Sequence, residues 1–302
     1  MKTAELCYAE PCRITPARQV KYEKRRVRMA DIKKIYAVYF SATGNTKKIA
    51  ERTAEKLAQL SGCEKETIDF TLPASREKTY EFKKGDLVVV GTPTYAGKTP
   101  NKMLPWLKSG LAGGEAFAVP VVTFGNRSFD NSLAELSAVL EADGFHTAAG
   151  GAFACRHAFT NKMADGRPDE ADFADCDKLA EKAFEIIKGA DGIPAPVKVD
   201  GDADAPYYVP KGTDGQPAKF LKATVQTDGE ICVGCGACIK LCPMGSISPE
   251  DVTKITGPCI KCQACVRGCP TGAKYFSDAA FLSHVAMLEM NFTEKKENKL
   301  FF

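Results

Sequence analysis

No stretch of the 302-residue sequence approaches the ~20 consecutive apolar residues of a membrane-spanning helix, so no membrane span is expected. An excess of charge of one sign is also missing. The 41 basic residues exceed the 38 acidic ones by only three, too few to argue for nucleic acid. Met1 to Arg18 lacks the apolar run of a secretory signal, which speaks against an oxidised, disulfide-stapled extracellular domain. What is present is the balance of a soluble globular protein, 44% apolar and 26% charged. Its length suits one large domain or two ordinary ones. Cysteine, by contrast, is abundant. Of 13 cysteines, eight lie between Cys232 and Cys269, while Cys7, Cys12, Cys63, Cys155 and Cys176 are scattered.

From Ile32 to about Lys188 short apolar runs alternate with helical patterns. Strands are expected at 34–40, 86–91 and 117–124, with a weaker one at 146–155 and a further one at 67–70. Helices are expected at 45–60, 103–108, 128–142 and 169–188. The first carries Ile49, Thr53, Leu57 and Leu60 on one face. Pro100 and Pro168 mark the starts of the second and fourth. Five strands alternating with helices imply an open α/β domain over 31–188, a parallel sheet covered on both faces. Trp106 is expected in its core. Residues 189–221 are rich in Gly, Pro and Asp and read as a linker that Tyr207 and Tyr208 can anchor. A second, small α+β domain follows over 222–276. Residues 277–302 form a helix and tail, with Phe281, Val285, Leu288 and Phe292 packing onto one of the two domains. The basic, aperiodic residues 1–30 are expected to be a disordered or mis-called extension, with Met29 as the natural start. The rival is a basic arm on a membrane surface. Cys7 and Cys12 receive no role.

The eight clustered cysteines form an internal repeat with an offset of 27 residues. Cys232, Cys235, Cys238, Cys242 and Pro243 correspond to Cys259, Cys262, Cys265, Cys269 and Pro270. Each copy reads Cys-x2-Cys-x2-Cys-x3-Cys-Pro. Three thiolates two residues apart wrap one corner of an iron–sulfur cubane, and the fourth cysteine leads toward the other cluster. Cys232, Cys235, Cys238 and Cys269 are therefore expected to hold one 4Fe-4S cluster, and Cys259, Cys262, Cys265 and Cys242 a second. Paired zinc sites are the rival, but zinc leaves the third Cys-x2 step and the Cys-x3-Cys-Pro ending unexplained. Gly234, Gly236 and Ala237 suit close backbone approach in the first loop. The bulkier, charged Lys261, Gln263 and Arg267 in the second would offset its potential. The segment resembles bacterial-type two-cluster ferredoxins and departs at no ligand position.

Ser41-Ala42-Thr43-Gly44-Asn45-Thr46 joins the first strand to the first helix. Small hydroxyl residues and a glycine let the loop fold round an anion at the helix N-terminus. It is neither a Gly-x4-Gly-Lys-Ser/Thr loop nor a Gly-x-Gly-x-x-Gly turn. It resembles the FMN-phosphate loop of flavodoxins, which implies a five-stranded sheet in the order 2-1-3-4-5. Ser41, Thr43, Gly44, Asn45 and Thr46 would then bind the FMN phosphate. The resemblance also implies that Thr92, Pro93, Thr94, Tyr95, Ala96 and Gly97, with Phe124, Gly125, Asn126 and Arg127, flank the isoalloxazine ring at the carboxyl ends of two more strands. Tyr95 is the expected stacking residue. Backbone groups near Gly97, Gly125 and Asn126 would meet the ring's polar edge. Free flavodoxins are usually acidic here, whereas Lys98, Lys102 and Arg127 make this region basic. His157 could reach the flavin side of the sheet as a proton donor, against the blander reading of a solvated loop residue. Cys63, Cys155 and Cys176 are read as small apolar residues.

Residues 32–300 together look like the flavodoxin–ferredoxin fusion proteins of anaerobic bacteria and archaea. That resemblance implies a cytoplasmic electron-transfer protein. It would carry FMN and two 4Fe-4S clusters and exchange electrons with redox partner proteins. The alternative is an FMN-dependent reductase of a small-molecule electron acceptor, fed by its ferredoxin domain. The loaded protein would be acidic despite the +3 of the bare chain, since each cluster brings about −2 and the flavin phosphate about −1.5 to −2.

Overall fold

A computed structural model describes residues 31–302; the expected extension lies outside the described residues. Five strands form the frame: β1 (Lys34–Tyr39), β2 (Lys65–Asp69), β3 (Asp86–Pro93), β4 (Phe117–Phe124) and β5 (Gly150–Ala154). Between and after them run α1 (Asn45–Ser61), α2 (Leu104–Gly110), α3 (Ser132–Ala142) and α4 (Glu170–Gly189). The strands are parallel in the order β2-β1-β3-β4-β5. One strand of this sheet escaped the sequence reading, as did the short pair Tyr80–Glu81 and Leu111–Ala112 outside it. Residues Lys299–Phe301 form β6, which pairs antiparallel with the outer edge of β5. The region expected as one weak strand at 146–155 is also split, because His146–Thr147 pairs separately with the start of β4.

The run Leu87-Val88-Val89-Val90 shows no alternation because both faces of β3 are buried. Leu87 and Val89 join Ile49, Leu57, Leu179 and Ile187 of α1 and α4. Val88 and Val90 face Met103, with Leu107 of α2 and Leu133 and Leu136 of α3. In α1, Ala50 and Ala54 fill the stripe beside Ile49, Thr53 and Leu57, while Leu60 is exposed in the last turn. Helix α3 starts later than expected because the Ser128 hydroxyl accepts the Asp130 N–H and holds a turn before it. Trp106 is half-buried and stacks on Phe70 with ring centroids 4.5 Å apart.

The linker residues run across the carboxyl end of the sheet. Asp202 N–H donates to Asn131 Oδ1 at 2.9 Å, the Tyr207 hydroxyl to Thr99 O at 3.0 Å, and Tyr208 N–H to Ala96 O at 2.8 Å. The small domain contains α5 (Ala237–Leu241), α6 (Ala264–Arg267) and an antiparallel pairing of Gln226–Thr227 with Lys274–Tyr275. Its repeat is visible in the backbone. Gly234 and Gly236 are left-handed, and so are their counterparts Lys261 (φ 57°) and Gln263 (φ 67°). The second loop accepts backbone strain that the first avoids with glycine.

Helix α7 (Ala279–Asn291) starts at Asp278, whose carboxylate accepts the Phe281 N–H. It packs onto both domains, not one. The Phe281 ring lies 4.8 Å from Phe159 of the sheet domain and 4.8 Å from Phe276 of the cysteine-rich one.

Candidate electron-transfer centres

The eight cysteines surround two separate clefts. One is bounded by Cys232, Cys235, Cys238 and Cys269. The other is bounded by Cys242, Cys259, Cys262 and Cys265. Each fourth cysteine thus stands with the other repeat's trio. The first cleft faces outward: Cys235 is exposed and Val233 is 69% exposed. The second is deeper, with Cys262 and Cys265 buried. Burial pushes the Cys262 and Cys265 thiols up to about 12 and raises Cys238 as well. At Cys269 burial also acts upward, but hydrogen bonds from Thr271 and the following backbone outweigh it and lower the value. Ligation needs thiolates, so filling either cleft releases protons.

Two observations bear on what fits. Among the described residues no three His, Cys, Asp or Glu side chains converge tightly enough for a single metal ion. The cysteines ring a volume, as a cubane needs and zinc does not. Lys274 is 3% exposed, and its ammonium donates to Thr227 Oγ1 at 2.6 Å and to Val252 O. It has no ion-pair carboxylate among the described residues, yet it stands beside Cys238 and Cys265. A buried cation without a counter-charge suits an anionic occupant.

The loop between β1 and α1 is equally specific. Gly44 is left-handed at φ 90°, and a Cβ there would meet nothing within 4 Å. Ser41 Oγ accepts the Lys47 N–H at 3.0 Å, and Lys48 N–H donates to Gly44 O at 3.2 Å. The amides of Ala42, Thr43, Gly44, Asn45 and Thr46 have no acceptor among the described residues. Helix α1 has no side-chain cap and no acidic residue in its first turn. Unpaired amides and the positive end of a 17-residue helix make this an anion site, and a phosphate fits it. Asn45 is turned the other way, donating from Nδ2 to Arg156 O at 3.0 Å, and Thr46 Oγ1 pairs with Thr123 Oγ1 at 2.8 Å.

The loops expected at the ring are tied into the protein. Thr92 Oγ1 is buried without a partner, and Thr94 Oγ1 pairs with Ser132 Oγ at 2.7 Å. Pro93 is half-buried at the end of β3. Tyr95 N–H donates to Lys98 O at 2.8 Å, closing a hairpin through Ala96 and Gly97. A Cβ on Gly97 would sit 2.5 Å from Asp130 Oδ2. The Tyr95 phenol is raised well above its ordinary value, by burial first and then by Cys262 and Cys259. Tyr95 therefore stands between the expected flavin loop and the second cleft. Phe124 is buried and packs on Phe129 at 5.6 Å, and Gly125 is covered by His157, whose Cδ2 lies 2.2 Å from a Cβ placed there. Asn126 is fully buried; its Nδ2 donates to Phe292 O at 2.7 Å and Glu294 O at 2.8 Å, and its Oδ1 accepts the Lys296 N–H. Arg127 pairs with Asp130 and lies 4.0 Å over the Tyr208 ring.

Two expectations change here. The basic character near the flavin loops is partly neutralised, since Lys98 pairs with Glu135 at 3.0 Å and Arg127 with Asp130, while Lys102 is exposed. Nor is His157 a solvated loop residue or a ready acid. Burial, followed by His284, Arg267 and Arg127, pulls it down to about 4. Its Nδ1 accepts the Phe159 N–H at 3.1 Å, so the neutral ring carries its proton on Nε2.

Two arginines join the domains, and neither role was visible in sequence. Arg267 on α6 donates to the carbonyls of Ala158, His157 and Thr160 at 2.8, 2.8 and 3.3 Å, and to Asn161 Oδ1 at 3.0 Å. Arg76 donates to Phe70 O at 2.7 Å and Thr71 O at 2.6 Å, and also to the carbonyl of Pro243, next to Cys242. Met244 and Ile260 extend this contact by packing against the core of the sheet domain.

Family comparisons agree with this division. A flavodoxin domain model matches residues 36–111, and a 4Fe-4S dicluster domain model matches residues 231–274. The chain joins an N-terminal flavodoxin domain to a C-terminal ferredoxin domain. It is thus a flavodoxin–ferredoxin fusion with a redox role. Similar solved structures include a flavodoxin from the domain Archaea, 17% identical, covering 51% of this chain and 99% of its own, with a TM-score of 0.38. A Streptococcus pneumonia TIGR4 flavodoxin is 19% identical, covers 50% of this chain and 97% of its own, and has a TM-score of 0.36. The rubredoxin oxygen:oxidoreductase of Desulfovibrio gigas is 19% identical over 53% of this chain and 37% of its own, with a TM-score of 0.35. No curated protein matches the sequence.

Proposed function

We propose that this chain is an electron-transfer protein that holds FMN at the β1–α1 loop and two 4Fe-4S clusters in its cysteine clefts. FMN exchanges two electrons in separable one-electron steps and each cluster exchanges one, so the fusion converts between the two kinds of chemistry. The chain's own residues set the geometry. The amides of Ala42 to Thr46 bind the phosphate, Tyr95 flanks the ring, and Cys232, Cys235, Cys238 and Cys269 hold the first cluster. Cys242, Cys259, Cys262 and Cys265 hold the second. Arg76, through residues 70, 71 and 243, and Arg267, through residues 157–161, hold the second cleft against the flavodoxin domain, so transfer does not await diffusion.

The observation that carries this reading is the pair of four-cysteine clefts, each completed by the fourth cysteine of the other repeat. External partners are redox proteins, and the protein works in the cytoplasm. The rival reading, a reductase of a small substrate, rested on the basic flavin surroundings and an acidic His157. Pairing of Lys98 with Glu135 and of Arg127 with Asp130, and the neutral imidazole, favour the carrier over that reading, with exposed Lys102 as its remaining support. Anaerobic purification with iron, acid-labile sulfide and released-flavin analysis tests the proposal. About eight irons and one FMN per chain are expected. Zinc in place of iron, or absence of flavin after reconstitution, would remove the corresponding half.

A further inference from the structure

The two cysteine clefts are not equivalent in their surroundings. The second is walled by the flavodoxin domain: Arg76 holds the carbonyl of Pro243, Arg267 holds residues 157–161, and Tyr95 lies beside Cys259 and Cys262. The first opens away from that contact, with Cys235 exposed and Val233 69% exposed on its lining, and with Ile231, the neighbour of Cys232, 46% exposed.

The flavin loops meet other parts of the same chain. Lys98 Nζ donates to Ala203 O and Ala205 O, both at 2.8 Å, and Tyr208 N–H donates to Ala96 O. These contacts lay the linker along the loop after β3. On the loop after β4, Asn126 holds the tail through residues 292, 294 and 296. Asn298 then carries the tail onto the sheet, accepting the Ala154 N–H at 2.9 Å before β6 pairs with β5. Part of the surface by which a flavodoxin loop would meet a separate protein is thus taken up in cis by linker, tail and second cleft, while Ala96 stays exposed.

We infer that the first cleft is the external port of the molecule: a one-electron carrier protein docks at the Ile231–Val233–Cys235 rim, and the flavin site exchanges electrons with it only by way of the two clefts. The inference rests on the proposed cofactor content. In each step one electron leaves the donor protein and one centre of this chain gains it.

The test uses the full loaded chain, photoreduced two-cluster ferredoxin as protein donor, and stopped-flow absorbance with freeze-quench EPR. Released-flavin and iron analyses are made on every variant, so failure to bind cofactor is told apart from failure of the port. The rim variant Val233→Glu places a charge beside the cleft without touching a ligand. It should slow reduction by the ferredoxin at least tenfold and leave reduction by dithionite unchanged. An unaltered ferredoxin rate would overturn the port. The paired variant Cys232→Ser/Cys235→Ser should retain flavin that stays oxidised in the presence of reduced ferredoxin. Flavin reduction at the wild-type rate in that variant would show direct access and sink the inference. Should the double variant lose its fold, Val233→Glu decides alone.

Discussion

Lys274 illustrates how one side chain can hold a place for something larger than itself. Its ammonium is buried, satisfied only by Thr227 Oγ1 and Val252 O, and adjacent to cysteines of both clefts. A cation there favours the more reduced, more negative state of a nearby cluster. Lys274→Met should therefore lower the midpoint potential of the first cluster by about 59 mV or more, a tenfold bias in a one-electron equilibrium. Lys274→Arg should restore most of it. An EPR-monitored redox titration with no movement in Lys274→Met would leave the lysine a merely structural role. His157 offers a second test at this scale. Its folded value of about 4 lies below the ordinary 6.5, so the unfolded chain binds the extra proton first as pH falls. Stability from this group is full above 6.5 and is lost as pH drops toward 4, at about 1.36 kcal/mol per pH unit. Melting curves of His157→Gln should fall less steeply across that window than those of the wild type; parallel curves would refute the assignment.

Elements with a local cause were legible in the sequence, and those with a distant cause were not. The 27-residue cysteine repeat declares itself because ligand spacing is a property of short loops. The β1–α1 turn is similar: Gly44 and the small hydroxyls act on amides a few residues away. Strand β6 left no such trace. Lys299–Phe301 is too short to show a period of two, and what makes it a strand is the free edge of β5 about 150 positions earlier. The bracing of the flavin loops was hidden for the same reason, since nothing near Asn126 announces that its amide will hold residues 292–296. The tail's own anchor is Asn298, which meets Ala154, Arg167, Asp172 and Asp175. Replacing it with alanine leaves buried partners unsatisfied, a cost of about 1–3 kcal/mol. Hydrogen exchange of residues 292–301 should rise in Asn298→Ala while that of β1 and β3 stays at the wild-type level. Equal protection of the tail in both proteins would mean that β6 pairing alone secures it.

At the scale of the whole molecule, two rigid units share one boundary, and Arg267 is its strongest single fastening. The guanidinium is bonded to three carbonyls and an amide oxygen and makes no carboxylate ion pair among the described residues. Removing it leaves those acceptors to find water, which can reach them only if the units part. Arg267→Leu keeps all eight ligands, so iron and sulfide content should match the wild type. What changes is the relation of the second cleft to Tyr95. With the fastening gone, Arg76, the packing of Met244 and Ile260 and the Phe281 contacts of α7 still join the units, but the second cleft is no longer held to residues 157–161. Two consequences should appear together. Protease should nick the linker faster, because Tyr207 and Tyr208 tie it only to the loop after β3 and not to the ferredoxin unit. Electron exchange between flavin and clusters, followed by stopped-flow after rapid reduction, should slow at least tenfold. Faster nicking without slower exchange would place the route between centres somewhere other than this boundary. Slower exchange in a chain that resists protease would assign Arg267 to the potential of the second cluster and not to docking.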